Sequence, residues 1–140
     1  MTATRNTLGA IGTAAATVGA WWAWLGWDTE SRTDPVTLTE SGPYEPWQVA
    51  GCVLTLAAIA VVAGLLLAPW LVAPVMTIAF TAAWTVQAAA GDESGLWVVG
   101  AVGVLIGMAI GTTVLSVAAW AVRRALTGRR GRPQGTTAAR

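Results

Sequence analysis

The order of apolar and polar residues along the chain predicts four membrane-spanning helices. Charged residues are absent from 8–25, 46–91 and 94–122, and the middle run is long enough for two crossings. A bilayer core about 30 Å thick is crossed by about 20 helical residues. Pro69 and Pro74 divide the middle run, because proline ends or kinks a helix. We therefore predict an all-α polytopic membrane protein, a bundle of four transmembrane helices, with spans at 7–25, 47–68, 71–90 and 96–122.

The connecting segments follow from the same pattern. Polar loops are predicted at 26–46 and 91–95, with a short strand at 36–39 in the longer one. Pro46 fits the first turn of the second helix, and Ser94 is a suitable cap for the fourth. The remaining segment, 123–140, is basic and is predicted to be a disordered tail.

The distribution of charge predicts the orientation of the bundle. Seven of the eight basic residues lie near the two chain ends, which an even number of spans brings to one side, and all seven acidic residues lie in the two loops. Because positive charge stays cytoplasmic, both termini are predicted to be cytoplasmic, in a bacterial plasma membrane. One alternative stays open: residues 1–20 resemble a secretory signal, and their cleavage would leave three spans.

Tryptophan is concentrated in the stretch GAWWAWLGW at 19–27. Its ring is apolar and its N–H favours water, so it prefers the membrane–water boundary. The predicted interface residues are Trp21, Trp22, Trp24, Trp27, Trp47 and Trp97. An aromatic cage for a cationic headgroup or ligand is the alternative interpretation of the cluster.

A stripe of glycines runs along the fourth span. Its members, which fall within about 80° of one another on a helix, are Gly100, Gly103, Gly107 and Gly111. Small residues at this spacing let a neighbouring backbone approach closely in lipid. The stripe predicts helix packing, either inside the bundle or in contact with a second copy or another membrane protein.

Polar side chains are rare inside the spans. Thr77, Thr81 and Thr85 share one face of the third span, and Gln87 lies near its end. They are candidates for a polar path that a solute would follow. Threonine also bonds to the carbonyls of its own helix, so a structural role is the alternative.

The chain offers few residues for catalysis. It has no histidine and a single cysteine, Cys52, so the usual residues of Ser-His chemistry and of zinc sites are missing. We predict no catalytic, cofactor or metal site. The expected partners are the lipid bilayer, with anionic headgroups at the arginine-rich tail, and no nucleic acid. A non-enzymatic interaction or accessory subunit is the favoured function, and a small channel or uncoupled transporter is the alternative.

Two stretches carry a family resemblance. PYEPWQVAGCVLTLA at 43–57 and SGLWVVGAVG at 94–103 resemble small uncharacterised four-span proteins of Streptomyces-type actinobacteria. The resemblance implies the same four-span architecture, and it brings no activity and no functional residues. The topology is also similar to that of claudin-like tetraspan proteins, whose paired loop cysteines this chain lacks.

Overall fold

The computed structural model describes residues 2–30, 32–33, 35–38, 40–41 and 44–130. Four long helices make up most of this part of the chain: α1 (Thr2–Trp21), α2 (Pro46–Leu66), α3 (Pro69–Gly91) and α4 (Trp97–Arg130). A π-helical segment, Trp22–Gly26, continues α1. All four helices are long and apolar enough to cross a membrane. The predicted all-α, four-helix membrane bundle is confirmed.

The loop between α1 and α2 contains a small antiparallel ladder. Strand β1 (Arg32–Thr33) pairs with β2 (Glu40–Ser41), with Arg32 opposite Ser41. The strand predicted at 36–39 is wrong for 36–38, and Thr39 lies outside the described residues. Residues 35–37 form a turn and Leu38 has a φ of 53°, because the chain must reverse direction between the two strands.

Proline sets the boundaries of α2 and α3. As predicted, α2 begins at Pro46, where the missing N–H costs no helical hydrogen bond. It ends at Leu66, since Leu67 is extended and Pro69 disfavours helical backbone at Ala68. Pro69 then opens α3, and Pro74 lies on an exposed position within it.

The last helix is longer than predicted. Residues 123–130 continue α4, so the predicted disordered tail is wrong for this part, and 131–140 lie outside the described residues. The Arg124 guanidinium stacks 4.1 Å from the Trp120 ring centroid, and the Thr127 hydroxyl donates to the Arg123 carbonyl at 3.1 Å. Alanine, leucine and arginine favour helix, and cations stabilise a helix C-terminus.

The core lies along the inner faces of α2 and α3. Met76, at 0% exposure, is its largest fully buried side chain. The cluster around it consists of Ala20, Leu25, Cys52, Leu56, Ala60, Ala63, Leu67, Val72, Met76 and Phe80. Among the described residues, α4 packs most extensively on α3 and then on α2, whereas α1 packs more on α3 than on α2. The seam between α1 and α2 is therefore the weaker of the two contacts that α1 makes.

Two close contacts hold α4 in place. A Cβ atom at Gly64 of α2 would lie 2.8 Å from the carbonyl oxygen of Ser116 and 2.9 Å from its Cα. The hydroxyls of Thr77 and Thr112 lie 3.3 Å apart and join α3 to α4. Close backbone approach and interhelical hydrogen bonds are the contacts that hold helices together in lipid.

The two ends of the bundle differ in charge, and we name them accordingly. At the arginine end, Arg123 Nη1 donates to the Leu65 carbonyl at 3.0 Å, and Gly9 lies against Leu67. The acidic end contains the loop between α1 and α2 and the turn between α3 and α4. There Gln48 Nε2 donates to Asp28 Oδ2 at 3.1 Å.

Gly64→Ala should destabilise the bundle. Its Cβ would meet the Ser116 backbone, which cannot move aside as a side chain can. We expect a loss of about 1–3 kcal/mol in stability, the usual cost of overpacking, seen as a lower melting temperature in detergent. Gly103→Ala is the matched control, since nothing lies within 4 Å of its added Cβ. Equal melting temperatures for the two variants would contradict the close contact.

Candidate functional site

The glycine stripe of α4 lies mostly on the outside of the bundle. Only Gly100 approaches another helix, and its added Cβ would lie 2.5 Å from the Trp84 ring of α3. At Gly103, Gly107 and Gly111 an added Cβ would meet nothing within 4 Å, and all three residues are exposed. We call these last three residues the glycine face.

The prediction that the stripe packs inside the bundle is wrong for the glycine face. The inward surface of α4 is a neighbouring one, turned by about 100° from Gly107 to Met108. It carries Val104, Met108, Thr112, Leu115, Ser116 and Ala119. These residues face inward because their side chains pack in the core. Thr112 also forms a hydrogen bond with α3, and Ser116 contacts Gly64 of α2.

The whole of α4 is poorly buried. Only 6% of its apolar window is buried, against 22% to 28% in the other three helices. Ile106 and Ile110 are more than half exposed beside the glycine face. The glycine face is therefore an exposed apolar surface in which the backbone is bare and branched side chains lie alongside.

The candidate polar path along α3 is divided. Thr77 is buried and paired with Thr112, so it serves a helix contact. Thr81 and Thr85 are half-buried, and Thr81 Oγ1 has no hydrogen-bond partner among the described residues. Gln87 Nε2 donates to the Gly26 carbonyl at 3.4 Å, while its buried Oε1 is likewise unpaired there. Two buried oxygens of the four residues thus have no hydrogen-bond partner among the described residues.

Trp24 joins α1 to α2 at the acidic end. Its Nε1 donates to Thr55 Oγ1 at 3.0 Å, and its ring fills the space that a side chain at Gly51 would occupy. The ring also meets Trp47 edge to face, with centroids 6.3 Å apart, an arrangement that aromatic pairs prefer. The π-helical segment around Trp24 is a widened turn of a kind often found at functional sites.

The other five predicted interface tryptophans differ in their exposure. Trp22, Trp27 and Trp47 are more than half exposed at the acidic end. Trp21 is half-buried against the core, and Trp97 is half-buried at the start of α4. Their role at the membrane boundary stays a prediction.

A buried polar pair closes the acidic end. Asp28 is 6% exposed and Gln48 is 1% exposed. Besides donating to Asp28, Gln48 accepts the Glu45 backbone N–H through Oε1 at 2.7 Å, which caps α2. Burial raises the pKa of the neighbouring Tyr44, and the negative charge of Asp28 adds to the rise. This pair therefore attaches the end of α1 to the first turn of α2.

Asp92 orders the second turn. Hydrogen bonds from the side chain and backbone of Ser94 lower the pKa of Asp92, with a further contribution from the Trp97 amide. That amide donates to Asp92 Oδ2 at 2.8 Å, so Asp92 performs the capping that was predicted for Ser94. Ser94 Oγ accepts only the weaker bond from the Leu96 amide, at 3.3 Å.

The sequence pattern does not predict the contact between Asp28 and Gln48. A local signal existed, because the spacing of Glu45 and Gln48 around Pro46 is that of a capping box. Nothing local marked Asp28 as its partner, since the two residues are 20 positions apart.

Comparisons of the chain with protein families, curated proteins and solved structures found no match. The resemblance to actinobacterial four-span proteins stays a prediction. Within the described ranges, no group of three or more His, Cys, Asp or Glu residues is placed to hold a metal ion.

Gln48→Leu should destabilise the acidic end. It removes the donor to Asp28 and the acceptor of the Glu45 amide, and losing a hydrogen bond to a charged group costs about 1.5–3 kcal/mol. Adding Asp28→Leu should cost less than the sum of the single changes, because the two residues are coupled. Melting curves of the wild type, the two single variants and the double variant measure this coupling. Additive effects would refute the coupling, and Glu30→Leu, at an exposed acid of the same loop, is the control.

Proposed function

We propose that this chain is a multi-pass protein of a bacterial plasma membrane, with its arginine end and both termini in the cytoplasm. Among the described arginines, Arg5, Arg123, Arg124 and Arg129 lie on the helix segments at the arginine end. Asp28, Glu45 and Asp92 lie at the opposite end, together with Arg32 of the loop. Positively charged segments are retained on the cytoplasmic side. Arginines at the end of α4 would also attract anionic lipid headgroups.

Cysteine labelling tests this orientation. Cys52 is the single cysteine and is buried, so Cys52→Ala provides a background without thiols. In that background, Glu30→Cys should react with a membrane-impermeant maleimide in intact cells, and Gly128→Cys should react only after permeabilisation. Both positions are exposed. The reverse pattern would overturn the orientation.

Within the membrane, the favoured role is that of a non-enzymatic interaction or accessory subunit. The observation that carries this proposal is the exposure of Gly103, Gly107 and Gly111. No helix among the described residues uses this face. The partner is a transmembrane helix, either of a second copy of this chain or of another membrane protein.

The physical reason lies in what glycine costs and what it permits. Glycine in a helix interior is about 0.8–1.0 kcal/mol less favourable than alanine. Inside the bundle, only Gly100 of the four makes a close contact that offsets this loss of helix stability. A second helix lying on the glycine face would offset the loss at the other three positions, because small residues allow close backbone packing.

One observation favours the alternative, a small channel or uncoupled transporter. Thr81 Oγ1 and Gln87 Oε1 are buried without a hydrogen-bond partner among the described residues, and buried polar atoms are normally satisfied by protein or water. A water-filled path along α3 would satisfy both. Solute flux in proteoliposomes that Gln87→Leu abolishes would favour this function over the first.

Gly107→Leu tests the interaction role. A Cβ added at Gly107 meets nothing within 4 Å, so we expect the leucine to cover the glycine face, to leave the fold intact and to block docking. We expect crosslinked complexes in native membranes to be lost. Ala109→Leu is the matched control, since Ala109 is also exposed but points about 200° away around α4. Equal crosslinking in both variants would exclude the glycine face as the docking surface.

A further inference from the structure

An apolar cavity of about 800 Å³ lies between α1 and α2 toward the arginine end. We call it the α1–α2 groove. From α1 it is lined by residues between Arg5 and Ala16, and from α2 by residues between Ala58 and Leu67. Its volume falls in the range of about 300–1,000 Å³ typical of ligand sites.

Small residues of both helices line the groove, among them Gly12 and Ala16 of α1 and Ala58 and Ala63 of α2. Leu67, the residue after α2, packs directly on Gly9, so α1 meets the end of α2 at that level. One turn further, Gly12 has nothing within 4 Å of its added Cβ, and the space opens. Leu8, Val62 and Leu66, which form the rims, are 64%, 56% and 66% exposed. The groove is therefore open sideways, toward lipid.

The polar character of the groove is concentrated at one end. Thr13 is satisfied internally, because its hydroxyl donates to the Gly9 carbonyl at 2.8 Å. Arg5 is exposed and makes no ion pair or hydrogen bond with the described residues. All seven acidic residues of the chain lie in 28–45 and 92–93, the segments of the acidic end. Among the described residues, the positive charge at the mouth of the groove therefore has no acidic partner.

The length of the groove matches one leaflet. From Arg5 to Ala16 the rise along α1 is about 16 Å, and half of the hydrocarbon core is about 15 Å. A phosphate at the level of Arg5 would thus place an acyl chain along the full groove. Basic pockets between helices on the cytoplasmic side, which is the side proposed above for the arginine end, are known to hold anionic headgroups.

We propose that the α1–α2 groove binds one anionic phospholipid from the leaflet at the arginine end, with its phosphate on Arg5 and an acyl chain between α1 and α2. The proposal rests on the membrane fold and not on the interaction role of α4. It concerns residues outside the arginine-rich tail, and it assigns a specific site to one lipid molecule.

Native mass spectrometry of the full chain, with phosphatidylglycerol, phosphatidylcholine or inorganic phosphate added, tests the proposal. Phosphatidylglycerol should be retained about fivefold more strongly than phosphatidylcholine, the effect of one arginine near an anionic headgroup, and phosphate alone should not be retained. Arg5→Gln should remove this preference. Arg129→Gln, which changes an arginine outside the groove lining, should keep it.

A second experiment fills the α1–α2 groove with larger side chains. Gly12→Leu should abolish retention of both phospholipids, and Gly19→Leu should leave it unchanged, because Gly19 has the same open surroundings but does not line the groove. Ala16→Phe repeats the test at a second lining position, and melting curves check that each variant is folded. Equal lipid retention in Gly12→Leu and Gly19→Leu would overturn the proposal. So would loss of a crosslinked dimer in Gly12→Leu with lipid retention intact, since the occupant would then be a second copy.

Discussion

The packing of this bundle depends on the absence of a hydrophobic drive between its helices. In lipid, an apolar side chain gains little by leaving the solvent for another helix, so close packing and hydrogen bonds must hold the helices together. At α4, the close packing is that of Gly64 on the Ser116 backbone. The hydrogen bond is that of the Thr77–Thr112 pair. Each helix already satisfies its own backbone. A few well-placed contacts therefore decide which faces turn inward and which remain for other molecules.

These contacts are unequally distributed between the two ends. At the acidic end, α1 and α2 are joined by the Trp24–Thr55 bond and by the buried Asp28–Gln48 pair. At the arginine end, the contact of Gly9 with Leu67 is followed by an open groove. Water is available beside the loops to support polar closure, whereas lipid can fill an apolar gap. The contacts of the acidic end include loop residues, whereas the groove lies between two spans.

The two surfaces proposed to bind other molecules share no residue. The glycine face belongs to α4, on the side of Gly100 and its neighbour Trp84 of α3, and the lipid groove lies between α1 and α2. The proposed phospholipid and the proposed partner helix would therefore not compete for the same surface. This arrangement fits a protein that associates with others inside the membrane.

Periodicity, proline and charge in the sequence determined the number of helices and their approximate limits, because each depends on local composition and on the thickness of a bilayer. They also marked the glycines of α4 and the polar residues of α3. Local pattern could not tell whether Gly107 faces lipid or α3, nor that Asp28 meets Gln48, since both depend on residues distant in the chain. Only the tertiary structure decided these points and revealed the groove beside Gly12. In a chain that is apolar on every side of its helices, hydrophobicity does not distinguish inside from outside, and close fit between side chains does.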